Sequence, residues 1–199
     1  VLTRKDGIAM RDEVLNMLLD NLGHFVSGEE ISKRLSITRA AVWKYIKLLQ
    51  SQGYMIESST KKGYCLMQVP DILDRALLVR GLNASFMGKN MEIHSSIDST
   101  NVRAKELALN GAAEGTVVIA HEQVQGRGRL GRSWISPPGK GIWMSVILRP
   151  RLSPQQAPRI TIMTAVAVAN ALKRTAQVEV SIKWPNDILI DGKKVCGIL

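Results

Sequence analysis

Cysteine is scarce: two residues in 199, Cys65 and Cys196, far apart and without Cys-x-x-Cys pairing. That argues against a disulfide framework and fits a reducing, cytoplasmic setting. Both thiols read as small buried residues rather than nucleophiles. Histidine is equally thin, with His24, His94 and His121 scattered at no metal-ligand spacing, so no zinc site is expected. No apolar run is long enough to span a bilayer and no charged-then-apolar leader opens the sequence, so no membrane partner is expected. The apolar run over residues 160–172 carries Thr161, Thr164 and Asn170 and reads as a buried helix. Acidic residues are missing from positions 123–178, which hold nine basic ones within a chain of net charge +10. Such a stretch attracts phosphates, carboxylates or nucleic acid, and composition does not choose among them.

What is present divides the chain in two. Val14, Leu15, Leu18 and Leu19 share one face of a helix over 11–21, which Gly23 stops. Ser27 with Glu30 has the form of a capping box opening a short helix that buries Ile31 and Leu35. After Ser36-Ile37, Thr38 caps a third helix with Ala41, Val42, Ile46 and Leu49 inward and Arg39, Lys44 and Lys47 outward. Two alternating strands then flank a loop containing Lys61 and Lys62. This pattern reads as a winged helix-turn-helix, whose third helix suits the major groove and whose wing lysines suit phosphates; the alternatives are merely solvated lysines or a winged helix that binds protein. Pro70 marks the boundary, giving a DNA-binding domain over 1–69 and a second domain over 70–199. The second domain predicts helices over 72–82, 101–110 and 160–175. Strands are predicted over 91–95, 116–121, 141–148 and 178–183, with a hairpin around Asp191-Gly192. The fold class is α+β with a mainly antiparallel or mixed sheet.

Three segments of the second domain carry chemistry. In Glu122-Gln123-Val124-Gln125-Gly126-Arg127-Gly128-Arg129-Leu130-Gly131-Arg132-Ser133-Trp134 the glycines match a dinucleotide fingerprint, but the Pro-Pro-Gly that follows excludes the helix such a fingerprint needs. What remains is a loop whose glycines permit close backbone approach and whose guanidinium forks suit carboxylate and phosphate. The alternative is an Arg-Gly nucleic-acid segment or a solvated loop. Lys183-Trp184-Pro185-Asn186-Asp187, followed by Lys193, Lys194 and Gly197, sets a carboxylate and an amide among cations, or else makes a plain turn with solvated lysines. Asp98-Ser99-Thr100-Asn101 precedes a helix, where the hydroxyls cap it or bind a small polar ligand.

In order and spacing these segments resemble the biotin protein ligase family. The N-terminal winged helix, with Ala40-Ala41-Val42-Trp43-Lys44 in its third helix, resembles the bifunctional ligase–repressor members. The resemblance implies a class II synthetase-like catalytic domain, read here as incomplete at its C-terminal end, where relatives continue with further strands and an SH3-like domain. It implies that biotin and MgATP give biotinyl-5′-AMP, from which biotin passes to a lysine of a biotin carboxyl carrier protein. It also implies that the adenylate, as corepressor, favours a homodimer that binds operator DNA.

By position, Ser99, Thr100, Asn101 and Gln123 would bind biotin, Arg129 would face its carboxylate, and Gly126, Arg127, Gly128 and Gly197 would enclose it. Arg129, Arg132, Trp134 and Asn186 would bind ATP, with Trp134 against the adenine. Lys194, Arg129 and Lys183 would supply catalytic charge, Lys194 foremost because the resemblance places the principal lysine three residues before Gly197, where it would also contact both ligands. Asp187 would meet magnesium. Arg39, Lys44, Lys47, Lys61 and Lys62 would contact DNA. Leu130 departs from relatives that carry arginine there. A lipoate-type ligase, a ligand-sensing repressor without ligase activity and a generic basic DNA-binding protein stay open as alternatives.

Overall fold

The structure is a computed structural model that describes residues 4–199, with side chains from residue 7 onward. It divides into two compact units, Val1–Asn83 and Ala84–Leu199.

In the first unit, α1 (Arg4–Asp20) begins earlier than its apolar periodicity predicts and buries Val14, Leu15, Met17 and Leu18. Ser27 Oγ accepts from the Glu30 N–H at 3.0 Å to start α2 (Gly28–Leu35), and Thr38 does the same from Ala41 at 3.2 Å for α3 (Arg39–Ser51). Each cap satisfies a donor the helix cannot pair internally. Ile31, Val42, Ile46 and Leu49 complete the core. The wing is β2 (Met55–Ser59) and β3 (Gly63–Gln68), joined by β1 (Phe25–Val26) in the antiparallel order β1-β3-β2. β1 escaped the sequence reading because two residues are too few to show alternation. Gly63 makes the pairing possible: its φ is +101° and a Cβ there would meet the Val26 carbonyl at 2.2 Å.

Pro70 ends the strand but not the unit. Downstream, Asp74 caps α4 (Arg75–Arg80) by accepting from the Ala76 N–H at 2.9 Å. It also receives two bonds from the Arg11 guanidinium, Nη1–Oδ1 at 3.0 Å and a shorter one from Nη2. Both side chains are only 8% exposed, and Gln52 Oε1 accepts from Arg11 as well. Burial alone would raise the Asp74 pKa, but the Arg11 bonds and charge hold it below the ordinary value. Ile72, Ala76 and Leu77 pack on the same core. The compact unit therefore runs to Asn83, beyond the boundary expected at 69, and the helix expected over 72–82 is shorter.

In the second unit, β4 (Met91–His94) runs parallel to β5 (Val117–Ala120), and β6 (Trp143–Val146) antiparallel to it. All four β5 residues are buried, as a central strand requires. α5 (Thr100–Leu109) packs through Ala104 against Val118 and Ile147. A separate antiparallel sheet follows, β7 (Ser181–Lys183), β8 (Asp187–Ile190) and β9 (Lys193–Gly197), with Asp191 and Gly192 at positive φ in the predicted turn. The expected mixed sheet is thus two three-stranded sheets, one mixed and one antiparallel.

α6 (Pro158–Ala176) corrects an expectation. Only Ala165 and Ala169 are buried, while Ile162, Met163 and Val166 are exposed. Among the described residues α6 meets β7 and β8, which cover one face, so the buried-helix reading fails. No helix among the described residues is long and apolar enough to cross a membrane.

Removing one partner of the Arg11–Asp74 pair leaves the other charge buried. Asp74→Ala should lower stability by about 3–5 kcal/mol in urea unfolding of the full chain. Because the folded pKa of Asp74 is depressed, its contribution is complete above the usual carboxylate range and is lost as pH falls through the depressed value. The gap between wild type and variant should therefore narrow in acid; a gap that widened would contradict this account of the pair.

Candidate ligand site and nucleic-acid interface

Ser99 stands at the N-cap of α5 but makes no side-chain cap. It is 2% exposed and its Oγ has no hydrogen-bond partner. The capping alternative therefore fails for Ser99, leaving a buried hydroxyl free for something else. Thr100, also buried, gives its N–H and Oγ1–H to Gln123 Oε1 at 2.9 and 3.0 Å. Gln123 Nε2 donates to Ser136 Oγ at 3.0 Å, and Ser136 Oγ donates to the Trp134 carbonyl at 3.1 Å. Asn101 follows on the first turn of α5 with no assigned side-chain partner.

The Gly-Arg loop lies between β5 and β6 and folds on itself. The Trp134 N–H donates to Gly126 O at 2.8 Å, and Gly128 N–H to Arg132 O at 2.7 Å. A Cβ on Gly126 would lie 2.2 Å from the Trp134 carbonyl and 2.7 Å from Ser136 Oγ. Glycine is needed there for close approach, not for positive φ. Leu130, 89% exposed, takes a left-handed φ of 58°, which costs a leucine about 1–2 kcal/mol. Arg127, Arg129 and Arg132 are exposed.

Arg129 reaches the second motif: its Nη1 donates to Asn186 Oδ1 at 2.8 Å. Asn186 in turn donates from Nδ2 to Ile198 O at 3.2 Å. Lys194 Nζ lies 2.7 Å from Asp187 Oδ1 and 4.9 Å from the centre of the Trp134 ring. The lysine–aspartate contact is an ion pair without hydrogen-bond alignment, since Asp187 Oδ1 is otherwise unpartnered. A Cβ on Gly197 would touch the Trp134 ring at 3.0 Å and Lys194 Cε at 3.2 Å.

This grouping depends on a bulge. Asp187 pairs with Gly197 and Ile188 with Cys196, but Leu189 pairs with Lys194. Val195 is the extra residue. Residues three apart in a regular strand face opposite sides; one inserted residue returns Lys194 to the face of Gly197. The expected spacing of Lys194 and Gly197 thereby acquires a geometric cause.

Lys183 sits opposite Asp187 in the β7–β8 register, exposed, with no assigned partner. Burial pushes the Cys196 thiol up, although Lys194 opposes this, consistent with an unreactive thiol; both cysteines are free. Among the described residues no cluster of three or more histidines, cysteines or carboxylates could hold a metal. Asp187 is a single carboxylate already paired with Lys194, a donor set that does not fit a protein-held magnesium ion.

In the first unit, Arg39, Lys44 and Lys47 are exposed on α3, and Lys61 and Lys62 on the wing. Trp43 is half exposed among them, with Lys47 Nζ 5.9 Å from its ring; Lys62 Nζ lies 5.4 Å from the Phe25 ring. Trp43 as a surface residue, and Ser136 and Ser145 beside Gln123 and Thr100, were missed as site residues. Helical periodicity could have exposed Trp43; nothing local marks the serines.

Residues 11–65 match the profile described as "HTH domain", and residues 93–199 match the "Biotin/lipoate A/B protein ligase family". Similar curated proteins include the "Bifunctional ligase/repressor BirA" of Bacillus subtilis, 43% identical over 190 residues, covering 96% of this chain and 58% of that protein. The Escherichia coli protein of the same name is 31% identical over 193 residues, covering 96% and 59%. The chain thus spans under three fifths of the length of these relatives. A solved "Biotin protein ligase from Aquifex aeolicus in complex with biotin and ATP" is 37% identical, covering 56% of this chain and 46% of that one, at a TM-score of 0.49. With its ligase profile matched over more than half its length, the chain belongs to the biotin/lipoate A/B protein ligase family.

Proposed function

We propose that the chain carries the biotin-adenylating site and the DNA-binding unit of a bifunctional biotin ligase and repressor. The observation that carries this reading is the convergence of the Gly-Arg loop and the β8–β9 hairpin on Trp134, with Lys194 over the indole and Arg129 on Asn186. A flat aromatic face beside two cations suits an adenine with its phosphates. The buried, unpartnered Ser99 hydroxyl next to Gln123 suits the polar head of a small ligand.

The chemical difficulty is bringing two anions together. Biotin carboxylate oxygen attacks the α-phosphorus of ATP; the bond from that phosphorus to the pyrophosphate oxygen breaks, leaving biotinyl-5′-AMP and pyrophosphate. Lys194 and Arg129 lower the repulsion, and the charge they offer is fixed before the reaction. Asp187 orients the Lys194 ammonium between its two strands. Arg132 and Lys183 add longer-range positive potential. Gly126, Arg127 and Gly128 close the loop over biotin, with Thr100, Asn101 and Gln123 at its head group. A magnesium ion carried by ATP would take its oxygens from phosphates and water. In the second step the amine of a carrier-protein lysine attacks the acyl carbon, an amide forms, and AMP leaves with the former carboxylate oxygen. The adenylate then acts as corepressor: ligand ordering of the loop shifts the chain towards a homodimer that reads two half-sites through α3 and the wing.

Lys194→Ala should reduce biotinyl-AMP formation by about 10²–10³-fold, read by mass spectrometry of the chain with biotin, ATP and magnesium. Equal yield from both proteins would remove Lys194 from the mechanism. Ligand-dependent DNA binding without adenylate from either protein would favour a ligand-sensing repressor. On duplex DNA, affinity should fall linearly with salt on logarithmic axes, and Lys61→Ala and Lys62→Ala should each reduce the slope by about 1. Salt-insensitive binding would rule out docking through phosphates.

A further inference from the structure

The hydroxyls around Gln123 have little choice of direction. Thr100 has one hydroxyl hydrogen, and Gln123 Oε1 takes it at 3.0 Å. The 2.9 Å contact between Thr100 Oγ1 and Ser145 Oγ must then run from Ser145 to Thr100. On the other side, Ser136 Oγ spends its hydrogen on the Trp134 carbonyl and accepts from Gln123 Nε2. The chain of bonds runs one way, from Ser145 through Thr100 to the Gln123 amide, then through Ser136 to the backbone of Trp134. Ser136 is 3% exposed and touches no charged group in this chain of bonds.

We infer that Ser136 is a positioning residue that fixes which end of the Gln123 amide faces the ligand. An amide left alone can turn over, exchanging a donor for an acceptor. Ser136 blocks this, because its lone pair takes one Nε2 hydrogen while Thr100 holds Oε1 with two donors. The second Nε2 hydrogen and the Ser99 hydroxyl stay uncommitted. The site therefore offers one fixed donor, the second Nε2 hydrogen, and a Ser99 hydroxyl free to donate as well, which matches the carbonyl of a cyclic urea and opposes a ligand with a donor facing the amide. Because Ser136 also bonds the Trp134 carbonyl, the same side chain ties the head-group site to the residue proposed to lie against the adenine. This inference rests on the biotin reading of the site.

The test compares biotin with 2-iminobiotin, whose imine replaces the ureido carbonyl, by titration calorimetry on the full chain. Ser136→Ala should weaken biotin binding about tenfold, the cost of about one hydrogen bond. It should also narrow the preference for biotin over 2-iminobiotin, because only Thr100 then resists turning of the amide. In a Gln123→Ala background Ser136→Ala should leave that preference unchanged. If Ser136→Ala does not fold, Ser136→Cys, a weaker acceptor of similar size, should narrow the preference partway. A biotin preference equal to wild type in a folded Ser136 variant overturns this inference alone. Failure of the unsubstituted chain to bind biotin overturns the biotin reading and this inference with it.

Discussion

The approach of Gly126 to Trp134 is the constraint on which the second unit's site depends. With 2.2 Å between a notional Cβ and the Trp134 carbonyl, only glycine lets the loop fold back on itself. That fold turns the Trp134 carbonyl towards Ser136 and sets its indole against Gly197 and beneath the Lys194 ammonium. Polar order on one side and cationic order on the other are held by a single residue whose backbone serves the first and whose ring serves the second. A substitution at Gly126 would therefore disturb both, although it carries no functional group.

The first unit rests on a different kind of lock. Its apolar core is ordinary for a three-helix domain with a wing, but Arg11, Gln52 and Asp74 join α1, the end of α3 and the start of α4 by buried charge. Apolar packing tolerates many arrangements, whereas a buried ion pair tolerates few, so the pair fixes where the chain goes after the wing.

The helices and most strands were legible because burial imposes a period: Val14, Leu15 and Leu18 in α1, or the unbroken apolar run of β5. Caps at Ser27 and Thr38 were legible for the same local reason. Asp74 was not, since its partner lies 63 positions away. α6 misled because apolar content measures preference for burial and not which neighbours are present to provide it. In the candidate site, the Gly-Arg loop and the hairpin announced themselves by composition, and Lys194 was preferred over Lys193 only through a family resemblance. The bulge at Val195 that aligns Lys194 with Gly197 has no compositional mark. Ser136 lies in a stretch legible only as non-helical; its importance comes from Gln123, thirteen positions earlier.

That bulge has a bearing on how this segment can change over time. A side chain can be exchanged anywhere along β9 at a graded cost, but the number of residues between Lys194 and Gly197 is a parity. Drawing Val195 into a regular ladder would remove the bulge, yet with three positions then counted between Lys194 and Gly197 it would turn the ammonium to the opposite side of the sheet from Asp187 and Trp134. Register here is under stricter control than side-chain identity: the hairpin can accept many substitutions, but a one-residue slip between Lys194 and Gly197 would separate folding from function.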